Sequence, residues 1–137
     1  MKSLRAFLFL LMVLPCCTLS RNHHKPFSQF IGTVQSKTRL WLVYNENGQH
    51  GHGKGDALDT RPSSRGLIAV LPPGYQITFT KAYETWDPGG GGTWMEGWAM
   101  VKGEKHPVQF ELAYDNDYGG YNPAQLFTLF QPRSITR

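Results

Sequence analysis

His50 and His52 stand two residues apart in His50-Gly51-His52-Gly53-Lys54-Gly55-Asp56, where two imidazoles beside a carboxylate have the chemistry to hold a transition metal. A zinc site draws three or four ligands from defined spacings. No third strong ligand is in view, and the alternating glycines leave much conformational entropy to lose on ordering, so the plainer reading is a glycine-rich loop. It is not a phosphate cradle, because the Walker spacing and a following helical pattern are both missing. Asp115 and Asp117, in Asp115-Asn116-Asp117-Tyr118-Gly119-Gly120-Tyr121-Asn122, are hard oxygen donors that make calcium the metal to consider there. The bidentate glutamate that closes an EF-hand loop is missing, with Phe127 where it would be expected. The plainer reading is an Asx-rich turn whose carboxylates accept backbone hydrogen bonds. No cofactor is expected, calcium at 115–122 being the one candidate.

A hydrolase needs a nucleophile with a partnered base. Ser63 and Ser64 sit in a polar turn, no nucleophile-elbow pattern occurs, and both cysteines, Cys16 and Cys17, belong to the N-terminal segment. Glu96 and Glu111 fall on what reads as the two arms of a hairpin, where they can face each other across strands as glycosidase carboxylates do. With no sugar-ring contacts identified around them, catalysis is not the expectation. Recognition is better represented. Glu84-Thr85-Trp86-Asp87-Pro88, four glycines and then Thr93-Trp94 put two indoles on either side of a loop that cannot pack itself. Tryptophan offers rigid contact area with an N–H donor, which suits sugar faces, membrane interfaces and protein hot spots alike. Trp94 and Trp98, with Glu96 between them at strand spacing, can equally make one face of a strand core; Trp98 and Trp41 read that way first.

The elements that must position these residues are short. Beyond Phe30 the chain carries all 15 glycines, and the longest stretch free of both glycine and proline is residues 33–47. Long helices have little room, and the intervening runs are rich in β-branched and aromatic residues. Tyr75, Ile77 and Phe79 alternate with Gln76, Thr78 and Thr80, as Val108, Phe110, Leu112 and Tyr114 do with Gln109, Glu111 and Ala113: two half-buried strands. Residues 40–44 and 67–71 are continuous apolar runs, consistent with strands covered on both faces, and residues 126–130 are expected to close the domain as another strand. Turn-forming groups at 45–48, at Pro72-Pro73-Gly74 and at 102–105 separate them, so hairpins are expected for 94–101 with 106–114 and for 67–71 with 75–81. Many short strands with regular turns predict an all-β, antiparallel two-sheet β-sandwich in a single domain.

Lys2 and Arg5 precede the apolar residues 6–14, which Pro15 closes before Cys16, Cys17, Thr18 and Ser20, the order of a signal peptide. Nine apolar residues fall well short of the roughly 20 that span a bilayer. The organisation expected is a signal peptide over 1–20, a flexible lead over 21–29 and the sandwich over 30–137, secreted and soluble. Cleavage after Ser20 leaves no cysteine, so the domain must hold itself together by apolar burial without disulfides. It also lowers the formal charge from +4 to +2. With the remaining basic residues scattered, nucleic acid is not an expected partner.

The run Leu42-Val43-Tyr44-Asn45 with its glycine turn, Pro72-Pro73-Gly74-Tyr75 opening a strand, and Gly97-Trp98-Ala99-Met100-Val101 followed by 108–114 and 115–122 resemble the aegerolysin and actinoporin-like β-sandwich in strand rhythm and turn placement. The likeness covers about residues 38–130. It implies a two-sheet domain whose aromatic loops recognise lipid headgroups, with Tyr118 and Tyr121 as the contacts it carries over. Residues 21–29 lack the length and apolar face of the amphipathic N-terminal helix with which such toxins form pores. The expectation is a secreted, non-enzymatic binding module for membrane lipid or glycan. Its patch consists of Trp86, Trp94, Tyr118, Tyr121 and Asn122. The alternatives are an effector or inhibitor that docks onto another protein and, further off, a small hydrolase or a metalloenzyme with His50, His52 and Asp56 as ligands.

Overall fold

The computed structural model describes residues 19–22, 27–45, 55–87, 90–112, 114–115, 120–122 and 124–132. Its strands are β1 (Leu19–Asn22), β2 (Gly32–Ser36), β3 (Leu40–Val43), β4 (Asp56–Asp59), β5 (Leu67–Leu71), β6 (Gln76–Asp87), β7 (Gly90–Val101), β8 (Glu104–Leu112), β9 (Tyr114–Asp115), β10 (Gly120–Tyr121) and β11 (Phe130–Gln131). A 3₁₀ turn at Phe27–Phe30 and the helix α1 (Ala124–Leu129) complete them. The fold is all-β, as its composition requires. Hydrogen bonding joins the strands into one curled sheet in the order β11-β2-β6-β7-β8-β4-β3-β5, with β1 on β6, and β9 and β10 form a separate two-stranded ribbon. The division into two sheets expected from the strand rhythm is not seen in the hydrogen bonds. Neighbouring strands are antiparallel except β4 and β8, which run parallel.

The curl encloses the core. Phe130 stands edge-on to Phe79 and to Phe110, with ring centroids 5.3 and 5.4 Å away, the offset geometry that aromatic quadrupoles favour. Leu40, Leu42, Leu71, Ile77, Met95, Val108, Leu112 and Leu126 fill the space around them. The alternation read in residues 75–80 and 108–112 is therefore real: Ile77, Phe79, Val108, Phe110 and Leu112 all point inward.

Three expectations need correction. Residues 126–130 are not one strand but the end of α1 followed by β11. The Asn122 side chain accepts the Ala124 N–H at 2.9 Å, and Lys37 donates to the last carbonyls, its Nζ to Phe127 O at 2.6 Å and its backbone N–H to Leu129 O at 2.7 Å. Both helix ends are thus satisfied, and Leu126, Leu129 and Phe130 share one face. Residues 67–71 and 75–81 do not form a hairpin, since β5 pairs with β3 and β6 pairs with β2 and β7. Pro72 and Pro73 remove two ladder donors, and the Tyr75 N–H turns instead to Ser36 Oγ and Pro72 O. The strand β5 is not covered on both faces: Leu67 and Val70 are exposed and only Leu71 is buried.

The joint that sets the rest is a bulge in β6. Phe79 pairs with Gly97, yet Lys81 pairs with Glu96, so Thr80 is an extra residue. Its hydroxyl donates to the Glu96 carbonyl at 3.2 Å. Opposite the bulge the strands close so tightly that a Cβ on Gly97 would lie 1.9 Å from the Thr78 carbonyl oxygen and 2.7 Å from Phe79 Cα. Those are backbone atoms and cannot swing away. Gly97→Ala is expected to destabilise the fold by about 3 kcal/mol or more, from overpacking at a strand crossing, read as a lowered urea midpoint with an unchanged denaturant slope.

Candidate functional site

Register assigns the outer face of β6, β7 and β8 residue by residue. Cross-strand partners share a face, so the outer rows are Thr78, Trp98 and Pro107; then Lys81, Glu96 and Gln109; then Tyr83, Trp94 and Glu111. Beneath them Met95, Ala99, Val101, Val108 and Phe110 belong to the core. Without the Thr80 bulge, Lys81 and Tyr83 would keep the parity of Ile77 and Phe79 and point inward. The extra residue turns them outward onto Glu96.

Glu96 is a carboxylate on an outer face, yet only 7% exposed. Tyr83 Oη donates to its Oε1 at 2.8 Å, and Lys81 Nζ stands 3.0 Å from its Oε2. Burying such a charge is tolerable only with partners of this kind. Burial, then the hydrogen bond to Glu96 and that carboxylate's charge, hold the Tyr83 phenol well above the ordinary tyrosine range. The Tyr83 ring stacks on Trp94 with centroids 6.0 Å apart and 25° between planes, and Lys81 Nζ lies 5.0 Å from the same ring's centroid. The indole of Trp94 folds back over Gly92, where an added Cβ would meet it at 2.2 Å. Directly across from Glu96, Gln109 donates its amide to Gly55 O at 3.0 Å, while its Oε1 is buried with no hydrogen-bond partner among the described residues. Trp98 remains half-buried with Lys105 Nζ 4.5 Å from its ring centroid.

This face therefore gathers two acceptors side by side, Glu96 and Gln109 Oε1, flanked by an ammonium and an indole. Such a set can take donors such as hydroxyl or amino groups, with the exposed Lys81 and the Trp98 edge as the approach.

Of the expected patch, Trp94 and Asn122 have described side chains. Trp94 is 3% exposed, its ring stacked on Tyr83 and laid over Gly92 rather than offering a loop surface. It does share a face with Glu96 and Trp98, but that face is the outer one, and Trp98 and Trp41 are half-buried rather than core. Trp86 pairs in backbone register with Gly91 and Leu19, Tyr121 with Tyr114, and Asp115 with Gly120. Asn122 caps α1. His50, His52, Asp117 and Tyr118 lie outside the described residues. Asp56 meets His106 Nε2 at 2.6 Å and accepts the Asn45 N–H at 2.8 Å, and among the described residues no three His, Cys, Asp or Glu side chains gather around a metal position. Glu96 and Glu111 share the outer face without standing opposite each other, for Glu96 faces Gln109 and Glu111 faces Trp94. Sequence reasoning missed Lys81, Tyr83 and Gln109. The bulge hides the first two from any simple alternation, and Gln109 reads as an ordinary polar residue of a half-buried strand.

Compared with protein-family models, with curated proteins and with solved structures, this chain matches nothing.

Tyr83→Phe removes a donor from a buried carboxylate oxygen and is expected to cost about 1–3 kcal/mol at neutral pH. Because the fold raises the phenol's pKa, that contribution is fully present below the unfolded-chain value of about 10 and is lost as pH climbs toward the folded one. The stability gap between the native protein and the variant, measured by urea unfolding at a series of alkaline pH values, should stay constant up to that point and narrow above it.

Proposed function

We propose that this protein is an exported, non-catalytic recognition module that binds carbohydrate on the outer face of β6, β7 and β8. The observation that carries this reading is the pair Glu96 and Gln109. A buried carboxylate and a buried carbonyl oxygen with no partner among the described residues stand opposite each other on this face. Leaving an acceptor unpaired costs about 1–3 kcal/mol, and a donor that bridges both oxygens would recover it. Sugar hydroxyls are such donors, and the half-buried Trp98 offers an apolar surface for the ring beside them. The interior is filled by side chains, which favours a surface site over an enclosed one.

Lipid headgroups are what the aegerolysin-like resemblance implies. The withdrawal of Trp94 from the surface favours sugar, because membrane insertion relies on aromatic rings at exposed loop positions. Export rests on the charge and apolar pattern of residues 1–20. Cleavage after Ser20 would leave Arg21 and Asn22 of β1 paired to Glu84 and Tyr83, so the Tyr83 end of the ribbon would keep part of its third strand.

The test is tryptophan fluorescence of the purified protein titrated with neutral, N-acetylated and acidic oligosaccharides, and separately with phosphatidylcholine vesicles with and without sphingomyelin. A saturable shift is expected with at least one oligosaccharide class. Glu96→Gln and Trp98→Ala should each weaken it by about tenfold or more, the loss typical of a central contact. A response to vesicles alone, or a glycan response that both variants retain, would overturn this assignment.

A further inference from the structure

The outer surface of β3 and β5, at the far end of the sheet from the proposed glycan face, has the composition of a protein-docking site. Trp41 lies in register with Val70 on one side and Asp59 on the other. Its ring is half-buried, Val70 is 46% exposed, and Leu67, which pairs with Val43 further along the same side, is 42% exposed. Tyr44 and the start of β5 are held side by side, since the Tyr44 N–H donates to Gly66 O at 2.8 Å. Trp41, Leu67 and Val70 thus form an apolar strip on the side opposite Leu40 and Leu42, with Val43 buried among them and the exposed Tyr44 at its end.

Arginines rim the strip. Arg39 precedes Trp41 by two positions and so shares its side of the strand. Arg65 leads into β5 beside Gly66, and both Arg39 and Arg65 are exposed, with no ion pair among the described residues. Arg61 touches the Asp59 carboxylate only loosely, at 3.6 Å, with its side chain 87% exposed. An exposed pair of that kind contributes little to stability, so the guanidinium is available. Among the described residues the local balance is three arginines to one aspartate around Trp41. Tryptophan, tyrosine and arginine are the residues that most often carry binding energy between proteins, with apolar anchors at the centre and charge at the rim.

We propose that this strip docks an acidic protein segment, with Trp41 as its buried anchor and Arg39, Arg61 and Arg65 pairing with the segment's carboxylates. The charge balance selects the partner: a basic surface would meet three guanidinium groups, and a neutral one would leave them desolvated at the rim without partners. The bulge at Ile68 keeps β5 from simply adding a strand along its edge, because the ladder register breaks between Leu42 and Val43. Recognition then falls to side chains on the face rather than to backbone pairing.

The probe is a synthetic acidic peptide, alternating glutamate with leucine, titrated into the purified protein at low and at physiological salt and followed by tryptophan emission. A matched lysine-leucine peptide and heparin are run alongside. A saturable shift with the acidic peptide that weakens as salt rises is expected, and it should be missing in Trp41→Phe, which assigns it to this residue. Arg39→Glu combined with Arg65→Glu, both at exposed positions where the fold is indifferent, should weaken binding by about tenfold or more. If Trp41→Phe proves unstable, the arginine variant alone decides. No shift with the acidic peptide, equal affinity for the lysine peptide, binding of heparin in preference to the acidic peptide, or an affinity indifferent to the arginine reversal would each overturn the proposal. Because Glu96 and Trp98 lie on other strands, Glu96→Gln should leave this binding intact, so the two sites fail or stand separately.

Discussion

A single extra residue, Thr80, decides which side chains of the twelve-residue strand β6 enter the core. Strand periodicity is two, so one inserted position reverses every side chain beyond it. Before the bulge Ile77 and Phe79 enter the core; after it Ala82 does, and Lys81 and Tyr83 emerge on the opposite side. The bulge is possible only because Gly97 gives the Thr78 carbonyl room to approach. The clamp around Glu96 follows from this contact, since Glu96 would otherwise meet neither its ammonium nor its phenol.

The division between inside and outside also explains how a cysteine-poor chain of 137 residues holds itself together. Three phenylalanines drawn from β6, β8 and β11 interlock at the centre, and α1 lays Leu126 against them. Phe130 is the keystone residue of that cluster, contributed by a two-residue strand that pairs with Ser36 and Gln35. Among the described residues the interior is apolar burial without a covalent staple, and the two proposed sites lie on outer faces. One carries a clamped carboxylate and amide, the other an indole ringed by arginine. With both proposed sites occupied, a glycan and an acidic segment would sit on separate faces of one domain, and linked contacts of that kind gain avidity without any new interaction.

Much of the fold was legible in the residues. Alternation placed Ile77, Phe79, Val108, Phe110 and Leu112 on the core side, and Lys102 with Gly103 marked the tight turn between β7 and β8, where both residues take positive φ. What escaped had physical causes. A helix of six residues is too short to show its period, although Leu126, Leu129 and Phe130 carried the spacing of one. Pro72-Pro73-Gly74 reads as a hairpin turn, but two prolines cannot continue a ladder, and the chain turned a corner instead. Glu96 reads in the sequence as a partner for Glu111 and Trp98 as core first, whereas the register sets Glu96 opposite Gln109 and leaves Trp98 half-buried on the outer face. Lys81 and Tyr83 could not be found by counting in twos across a bulge, and the indole of Trp94 lies stacked on Tyr83 and over the open side of Gly92. A glycine directly before a polar-aromatic alternation was the available signal.

The register of β6 against β7 carries the whole account and can be observed in solution. Cross-strand nuclear Overhauser contacts in the isotope-labelled protein should link Phe79 with Gly97, then Lys81 with Glu96 and Tyr83 with Trp94, the one-residue shift at Thr80. An unbroken ladder, with Lys81 opposite Met95, would contradict it, since Lys81 and Tyr83 would then point into the core and the outer face built on Glu96 would not exist.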